Sequence, residues 1–400
     1  MRKSARPHLS RVVAGIYRGA LYLLQRLAWL APAPIPTTLL DVPIPGEEAD
    51  LRDALVELEA LSLARFSDNG GSFTVHRLVQ AVTQQDQATD PDHARLAEAL
   101  QWVNDAFAGD AQDVRDWPAL EPLAAHAARV AGHGADRHLT APCARLLNQV
   151  GVLLNSKAQY AEAEPLMRRA LDIVEATSGS KHHVVAISLN NLATLLCSTN
   201  RAVEAEPLMR RACAIDEFNF GPEHPSVALH LHNLAALLKA TNRLRDAEPL
   251  MRRALKILET HFGSDHEHIA PCLNNLAQLL QETNRLAEAE PLMLRTLAID
   301  VASFGRDHPS VARDLNNLAR LLHATDRPTE AEPLLHRALI ICLKSLGPIH
   351  PNSQLVTCNY ISLLQALGHT EAEITESLRT LLDCPTPSHA CNITRPGFPA

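Results

Sequence analysis

A five-residue pattern returns through the second half of the chain at a constant spacing of 42 residues. The sequence reads AEPLM at 163, 205, 247 and 289, and AEPLL at 331. A fixed period of this length, with apolar residues at helical spacing inside it, is typical of solenoids. One such unit cannot bury its apolar face alone, so neighbouring units stack and supply the core. The period therefore restricts the fold more than any single residue does.

The proline of each copy predicts the start of a helix. Proline has no N–H and clashes with the preceding turn inside a helix, whereas the first turn has N–H groups without intrahelical partners. Downstream, Leu208, Met209 and Ala212 fall on one apolar stripe. We therefore expect an amphipathic helix to begin at each of these prolines: Pro165, Pro207, Pro249, Pro291 and Pro333.

A second periodic segment precedes each of these helices. Its copies span 184–200, 226–242, 268–284 and 310–326. Each copy ends in a residue that favours the left-handed conformation of a helix stop: Asn200, Asn242, Asn284 and Asp326, with Gly368 in a last copy. Between units, a Gly ends the second helix, and Pro225, Pro309 or Pro351 takes the first position of the next helix. The unit is thus a helix, a short turn and an antiparallel second helix.

These units resemble tetratricopeptide (TPR) repeats. The small, turn-forming and bulky positions of that pattern are filled by Ala193, Asn200, Ala205, Met209 and Ala212, and the first unit has Tyr160 at the tyrosine position. The longer unit, with its LNNLA and AEPL motifs, is similar to the kinesin-light-chain type of TPR. The resemblance covers roughly 141–384, with about six repeats. It implies an all-α fold, a right-handed superhelical solenoid of 42-residue helix-turn-helix repeats.

Composition agrees with this fold class. Hydrophobic residues make up 46% of the chain and aromatic residues 4%, so the core is expected to consist of Leu, Ala, Val and Ile. The net charge of −8 argues against a nucleic-acid partner, for which a basic face is expected. The eight cysteines form no CxxC pairs, which favours reduced thiols and a cytoplasmic location.

The region before the repeats has a different character. Residues 1–35 are basic and then apolar, but Arg18 and Arg26 interrupt the apolar run well short of the ~20 residues that a membrane span needs. We therefore expect neither a signal peptide nor a membrane span there. Further on, 51–85 predicts a helix (51–60), a strand (62–66), the turn DNGG, a second strand (72–76) and another helix.

This helix, hairpin and helix resemble the winged-helix segment of STAND-type (NB-ARC-like) NTPases that carry TPR arrays. The VHRLVQ stretch (75–80) matches a recurrent signature of that segment. The resemblance implies a winged-helix-like segment at 1–88, a helical connector at 89–140 and the repeats at 141–384. Proline and small polar residues predict a disordered tail at 385–400.

The nucleotide-binding signature of those NTPases does not occur in this sequence. A P-loop needs GxxxxGK[ST], and no Gly-Lys pair of any kind is present. We therefore expect no ATP binding or hydrolysis by this chain itself. If the resemblance to STAND proteins holds, the nucleotide-binding half is either lost or encoded beyond this sequence.

The resemblance to TPR proteins implies a binding groove lined by the first helices. The second Asn of LNNLA is expected to face it, where its amide can both donate to and accept from a peptide backbone. This predicts a ladder of Asn191, Asn233, Asn275, Asn317 and Asn359, with Gln149 in the first unit. Neighbouring groove residues are expected to be Asn190, His232, Asn274 and Asn316, then Thr194, Gln278 and Arg320, with Lys239, Gln281 and His323 beyond. The alternative is that these asparagines only brace neighbouring helices.

Two other repeating residue types have simpler interpretations. One histidine recurs in each unit: His182, His224, His266, His308 and His350. Successive histidines of this column are expected to lie at least ~10 Å apart, whereas a zinc ion needs all its ligand atoms within ~2.1 Å of itself. We therefore expect these histidines to cap the helix starts or to pack there. The paired arginines, such as Arg210 and Arg211, lie near a Glu four residues earlier and predict solvated ion pairs.

No set of residues predicts catalysis or a bound cofactor. Three functions remain: a scaffold whose groove binds an extended peptide or partner helix, the sensor arm of a STAND NTPase, and a winged-helix DNA binder. The acidic helix at 51–60 argues against the third. We therefore expect a non-enzymatic interaction protein with a protein or peptide ligand and neither a membrane nor a nucleic-acid partner. The oligomeric state stays open.

Overall fold

A computed structural model of the chain describes residues 18–44, 50–87, 93–139 and 141–382. The predicted tail at 385–400 and residues 1–17 lie outside the described residues. Two compact units are distinguished, one up to Ile257 and the other from Leu258 onward.

The first unit begins with helices around a small sheet. The elements are α1 (Arg18–Leu27), β1 (Ile35–Pro36), a 3₁₀ turn (Thr37–Asp41), α2 (Leu51–Ala60), β2 (Ala64–Phe66), β3 (Ser72–Val75) and α3 (Arg77–Asp86). The strands form an antiparallel sheet of order β1-β3-β2, with Phe73 of β3 opposite both Ile35 and Phe66. The predicted helix, hairpin and helix are confirmed, whereas the winged-helix assignment stays a prediction.

The described part of the apolar N-terminal segment lies in the core of this unit. Leu23, Leu24 and Leu27 of α1 are fully buried. Arg26 is also fully buried and forms an ion pair with Glu98. Among the described helices, none is long and apolar enough to cross a membrane.

Two helices connect this sheet region to the repeats. They are α4 (Ala94–Ala106) and α5 (Trp117–Ala135). The buried Trp102 indole of α4 donates a hydrogen bond to the carbonyl of Val42 (2.8 Å). His126 Nε2 of α5 lies 3.0 Å from the carbonyl oxygen of Pro34, and burial lowers the pKa of this histidine. The connector is therefore held against the N-terminal segment by specific polar contacts.

Helix pairs make up the rest of the described chain, as the 42-residue period predicts. In chain order they are α6 (Ala141–Ser156) with α7 (Tyr160–Ser178), α8 (His183–Ser198) with α9 (Ala202–Phe220), α10 (Pro225–Ala240) with α11 (Leu244–Phe262), α12 (Ala270–Glu282) with α13 (Leu286–Phe304), α14 (Pro309–Ala324) with α15 (Pro328–Ser345), and α16 (Pro351–Ala366) with α17 (Glu371–Leu382). A 3₁₀ turn (Glu267–Ile269) leads into α12. The repeating all-helical fold class is confirmed.

The turns between and within pairs have the predicted conformations. Asn200, Asn242, Asn284 and Asp326 have φ between 59° and 61°, and Gly368 takes the same role with φ of 86°. In the first pair the left-handed residue is Ala158, with φ of 60°. These positions end the first helix of each pair and start the turn to the second.

The prolines of AEPLM do not mark helix starts, so that prediction is wrong. Each second helix begins five residues earlier; α7, for example, starts at Tyr160 and contains Pro165. The left-handed residue and the turn after it set the start. Pro165 leaves the carbonyl of Ala161 without its usual N–H donor. Both residues are exposed, so water can reach that carbonyl.

The histidine column forms helix caps, as expected. His182, His224, His266, His308 and His350 each accept, through Nδ1, a hydrogen bond from the backbone N–H two residues later, at 3.2 to 3.3 Å. Three of these rings also stack on the last aromatic residue of the preceding helix: Phe220 with His224, Phe262 with His266, and Phe304 with His308. The caps satisfy N–H groups that a helix start leaves unpaired.

Candidate functional site

Four asparagines of the predicted ladder donate side-chain hydrogen bonds to asparagines of the preceding repeat. In the first unit, Asn233 Nδ2 of α10 donates to Asn190 Oδ1 of α8 at 2.8 Å. Asn191 Nδ2 of α8 donates to Asn148 Oδ1 of α6 at 3.3 Å. The second asparagine of one repeat is therefore bonded to the first asparagine position of the repeat before it.

The second unit repeats this arrangement. Asn317 Nδ2 of α14 donates to Asn274 Oδ1 of α12 at 2.9 Å, and Asn359 Nδ2 of α16 donates to Asn316 Oδ1 at 2.8 Å. The acceptors are buried, with Asn274 and Asn316 exposed by 5% and 4%. His232 holds the position of the acceptor asparagine in its own repeat and is also buried. The bracing role that the sequence left open is thus seen in the structure.

Bracing uses only part of the amide of Asn191, Asn233 and Asn359. Asn191, Asn233 and Asn359 are half-buried, and each has the one side-chain hydrogen bond given above among the described residues. An asparagine amide has two N–H donors and an acceptor oxygen. One donor and the oxygen of each of these side chains therefore have no hydrogen-bond partner among the described residues. Asn275 is half-buried as well, whereas Asn317 is buried.

The other predicted groove residues differ in how accessible they are. Arg320 and His323 of α14 are exposed. The half-buried members are Gln149, Thr194, Lys239, Gln278 and Gln281. Thr194 uses its hydroxyl to donate to the carbonyl of Asn190 at 2.9 Å. The most accessible polar groups of the predicted site therefore lie on α14, in the second unit.

Two exposed apolar residues on the first helices of the first unit were not predicted. Ile187 lies one turn before Asn191 on α8, and Leu229 lies one turn before Asn233 on α10; they are 46% and 51% exposed. A spacing of four residues puts each on the same helix face as the ladder asparagine. Their shared position in the 42-residue unit is the signal that identifies them. In the first unit the face therefore combines an apolar pair with hydrogen-bonding amides.

Buried ionisable pairs were also missed by the sequence analysis. His230 Nε2 of α10 lies 3.0 Å from Asp216 Oδ2 of α9, both about 2% exposed, and burial lowers the pKa of His230. In the second unit, Arg313 forms ion pairs of 2.9 Å with both Asp300 and Asp314. Burial raises the pKa of Asp314 to about 7 and also raises that of Asp300. Asp216 and His230 are 14 residues apart, as are Asp300 and Asp314, and in both cases a second helix packs on the next first helix.

The paired arginines have two different structural roles. The first of each pair bonds the Glu four residues earlier, as predicted; Arg210, for example, lies 2.7 Å from Glu206. The second reaches the preceding repeat: Arg211 contacts Glu175 (2.6 Å) and donates to the carbonyl of Ser180 (3.2 Å). Arg253 contacts Glu217 and the carbonyl of Pro222 in the same way. The second arginines therefore tie neighbouring repeats together.

The cysteines have no disulfide partners within the ranges that the structure covers. Cys143, Cys213, Cys272 and Cys342 are buried, Cys197 is intermediate and Cys358 is exposed. Burial raises the pKa of the Cys272 thiol to about 12 and that of Cys143 to about 11. These buried thiols are structural rather than reactive. The described residues contain no group of three or more metal-ligating side chains that could hold an ion.

Comparison with known families identifies the repeats. The tetratricopeptide repeat family matches residues 142–217, 202–260 and 269–344. These residues therefore carry tetratricopeptide repeats, as the sequence motifs predicted. Repeats of this kind generally mediate interactions between proteins. A comparison with curated protein sequences gives no match.

Several solved structures are similar to this chain. One, a Podosopora anserina putative kinesin light chain with nearly identical TPR-like repeats, is 24% identical over 53% of this chain and 97% of its own, with a TM-score of 0.41. BtubC (BKLC) from P. vanneervenii is 23% identical over 62% of this chain and 94% of its own (TM-score 0.43). A STAND protein with a tetratricopeptide repeat sensor from Pyrococcus horikoshii is 12% identical over 93% of this chain and 63% of its own (TM-score 0.40).

Proposed function

We propose that this chain is a non-catalytic scaffold that binds an extended peptide or a partner helix along the face of the first helices. The observation that carries the proposal is the unused hydrogen-bonding capacity of the ladder amides. Asn191 and Asn233 each hold one N–H in a contact to the neighbouring repeat. That contact fixes the orientation of the amide before a ligand arrives, which lowers the entropic cost of binding.

The residues around the ladder suit recognition of side chains. In the first unit, Ile187 and Leu229 offer exposed apolar surface beside the amides. In the second unit, Arg320 and His323 are exposed on the helix that carries Asn317. Backbone recognition by amides gives affinity for an extended chain, while such neighbours give selectivity. A cytoplasmic location and the lack of nucleic-acid or membrane partners are part of this proposal. The acidic net charge supports the lack of a nucleic-acid partner.

Site-specific photo-crosslinking tests the proposal. A peptide would first be selected from a random display library on the wild-type protein. The photoreactive residue p-benzoylphenylalanine would then replace Arg320 on the ladder face or, as a matched control in the same unit, Ala298 on the second helix α13; both positions are exposed. We expect crosslinks from position 320 only. Crosslinks from position 298 alone, or failure to select any peptide, would reject the groove.

The sensor arm of a STAND NTPase is the alternative function. It is favoured by the antiparallel sheet of order β1-β3-β2 and the helices around it, which lie directly before the connector and the repeats. The intact mass of the native protein separates the two functions. A mass well above 43.7 kDa, with a P-loop in the additional sequence, supports the sensor arm. A mass near 43.7 kDa supports a free-standing scaffold.

A further inference from the structure

A pocket away from the asparagine ladder has the features of a second binding site. It lies in the first unit, has a volume of about 360 Å³, and is lined by Ser180, Lys181, Arg211, Ala214, Ile215 and Phe218. We call it the Lys181 pocket. Its residues come from the loop between α7 and α8 and from the second helix α9. The proposed groove lies instead on the first helices, so the two sites share no lining residue.

The two residues that give the pocket its chemistry depart from the repeat pattern. Where this loop has Lys181, the corresponding residues of the other loops are Glu223, Asp265, Asp307 and Ile349. Where α9 has Phe218, the other second helices have Ala176, Thr260, Ala302 and Lys344. The only repeat loop with a cation at this position therefore meets the only second helix with an aromatic residue there. A purely architectural role would not require both exceptions in one place.

No carboxylate among the described residues neutralises the charge of Lys181. Its ammonium lies 5.6 Å from the centre of the Phe218 ring. Within the described ranges it has no carboxylate at ion-pair distance, whereas Arg211 is paired with Glu175 at 2.6 Å. Phe218 is 75% exposed. The pocket thus offers one uncompensated cation beside an accessible apolar ring.

Hydrogen bonds hold this loop in place against α9. Asn219 Nδ2 donates to the carbonyl of Lys181 at 2.8 Å and to that of Ile215 at 2.7 Å. Arg211 donates to the carbonyl of Ser180 at 3.2 Å. The backbone on both sides of the pocket is therefore positioned before a ligand binds, and little ordering entropy has to be lost on binding.

From this geometry we infer that the Lys181 pocket binds an acidic segment of a partner protein. One glutamate or aspartate carboxylate of the segment pairs with Lys181, and a neighbouring apolar side chain packs on Phe218 and Ala214. A single unpaired ammonium suits one carboxylate, whereas a nucleic-acid backbone requires a basic cluster. The partner is therefore a peptide that carries a carboxylate next to an apolar side chain.

Fluorine NMR of the full chain tests this inference. The eight phenylalanines would be replaced biosynthetically by 4-fluorophenylalanine, and the Phe218 signal assigned with the Phe218→Leu variant. The probe is an acetylated, amidated hexapeptide of alternating glutamate and leucine. We expect a saturable shift of the Phe218 signal, with the signals of Phe262 and Phe304 unchanged as internal references. A hexapeptide of alternating lysine and leucine should cause no such shift.

Two variants complete the test. Lys181→Glu installs the residue that the next loop carries as Glu223, so folding is preserved while affinity for the acidic probe falls by about tenfold or more. Asp307→Lys makes the reverse change in a loop of the second unit, where the residue equivalent to Phe218 is Ala302. This variant should leave the shift of the Phe218 signal with the acidic probe unchanged. No shift at millimolar probe, equal shifts with the lysine peptide, or a titration unaffected by Lys181→Glu would overturn the inference.

Discussion

Asn233 of one repeat donates a hydrogen bond of 2.8 Å to the side-chain oxygen of Asn190 in the repeat before it, across 43 positions of sequence. Asn190 is only 6% exposed, so its oxygen has little access to water. A buried acceptor that loses its donor costs free energy, whereas removal of both partners is cheaper. The pair therefore contributes to the interface between repeats as well as presenting an amide to the face of the first helices.

We predict that Asn233→Ala lowers the stability of the folded chain by about 1–3 kcal/mol, because the Asn190 oxygen is left unsatisfied. The double variant Asn190→Ala with Asn233→Ala should cost less than the sum of the two single changes. Thermal unfolding of the four proteins of this cycle measures the coupling. Strictly additive losses would show that the hydrogen bond carries no coupling between repeats.

A second prediction concerns the histidine caps. His224 accepts from the N–H of Ser226 at 3.2 Å and stacks on Phe220 with ring centres 4.5 Å apart. His224→Ala removes both contacts and should cost about 1–2 kcal/mol. His224→Asn keeps a good capping side chain and should cost less than the alanine change. Melting temperatures of the two variants check the order; equal losses would indicate that the cap contributes nothing.

A third prediction concerns pH, through Asp314. Burial raises its pKa to about 7, far above the ~3.9 of an unfolded aspartate. Between these values the folded chain holds a proton that the unfolded chain has lost, so stability falls as pH rises from about 4 to about 7. Asp314→Asn removes this loss. The stability of the variant relative to wild type should therefore increase with pH up to about 7 and then level off.

Unfolding of wild type and Asp314→Asn at pH 5, 6, 7 and 8 measures this difference directly. Its slope should not exceed about 1.4 kcal/mol per pH unit, the limit for one proton. A flat difference for Asp314→Asn would mean that its carboxyl is ionised in the folded chain throughout this range.

The fourth prediction concerns the thiols. Cys272 is buried, and its pKa is raised to about 12, whereas Cys358 is exposed. Because the thiolate is the reactive form, iodoacetamide at pH 8 should modify Cys358 at least ten times faster than Cys272 in the folded chain. Peptide mapping by mass spectrometry measures both rates. In urea the two should react at similar rates; a fast reaction of Cys272 in the native protein would contradict its burial.

Local patterns in the sequence predicted the architecture because helix stops, turns and caps depend on residues that are close together in the chain. The left-handed positions at Asn200 and Asn242, the glycines between units and the capping histidines were all identified from the period. The helix start predicted at Pro207 was five residues too late. Proline is also accepted in the second turn of this helix, because the carbonyl that lacks an N–H donor lies on an exposed face. Short-range rules therefore identified the helices and their order better than their exact starts.

The sequence by itself determined the repeat length, the helix pairs and the residue types on each face, because these follow from hydrophobic period and turn chemistry. It did not determine which side chains meet. Asn233 reaches Asn190, Asp314 shares Arg313 with Asp300, and Lys181 lies over Phe218 only because stacked repeats bring residues 13 to 43 positions apart into contact. Hydrogen bonding, desolvation and charge pairing depend on those distances, so the partners of each candidate site residue were decided by tertiary structure alone.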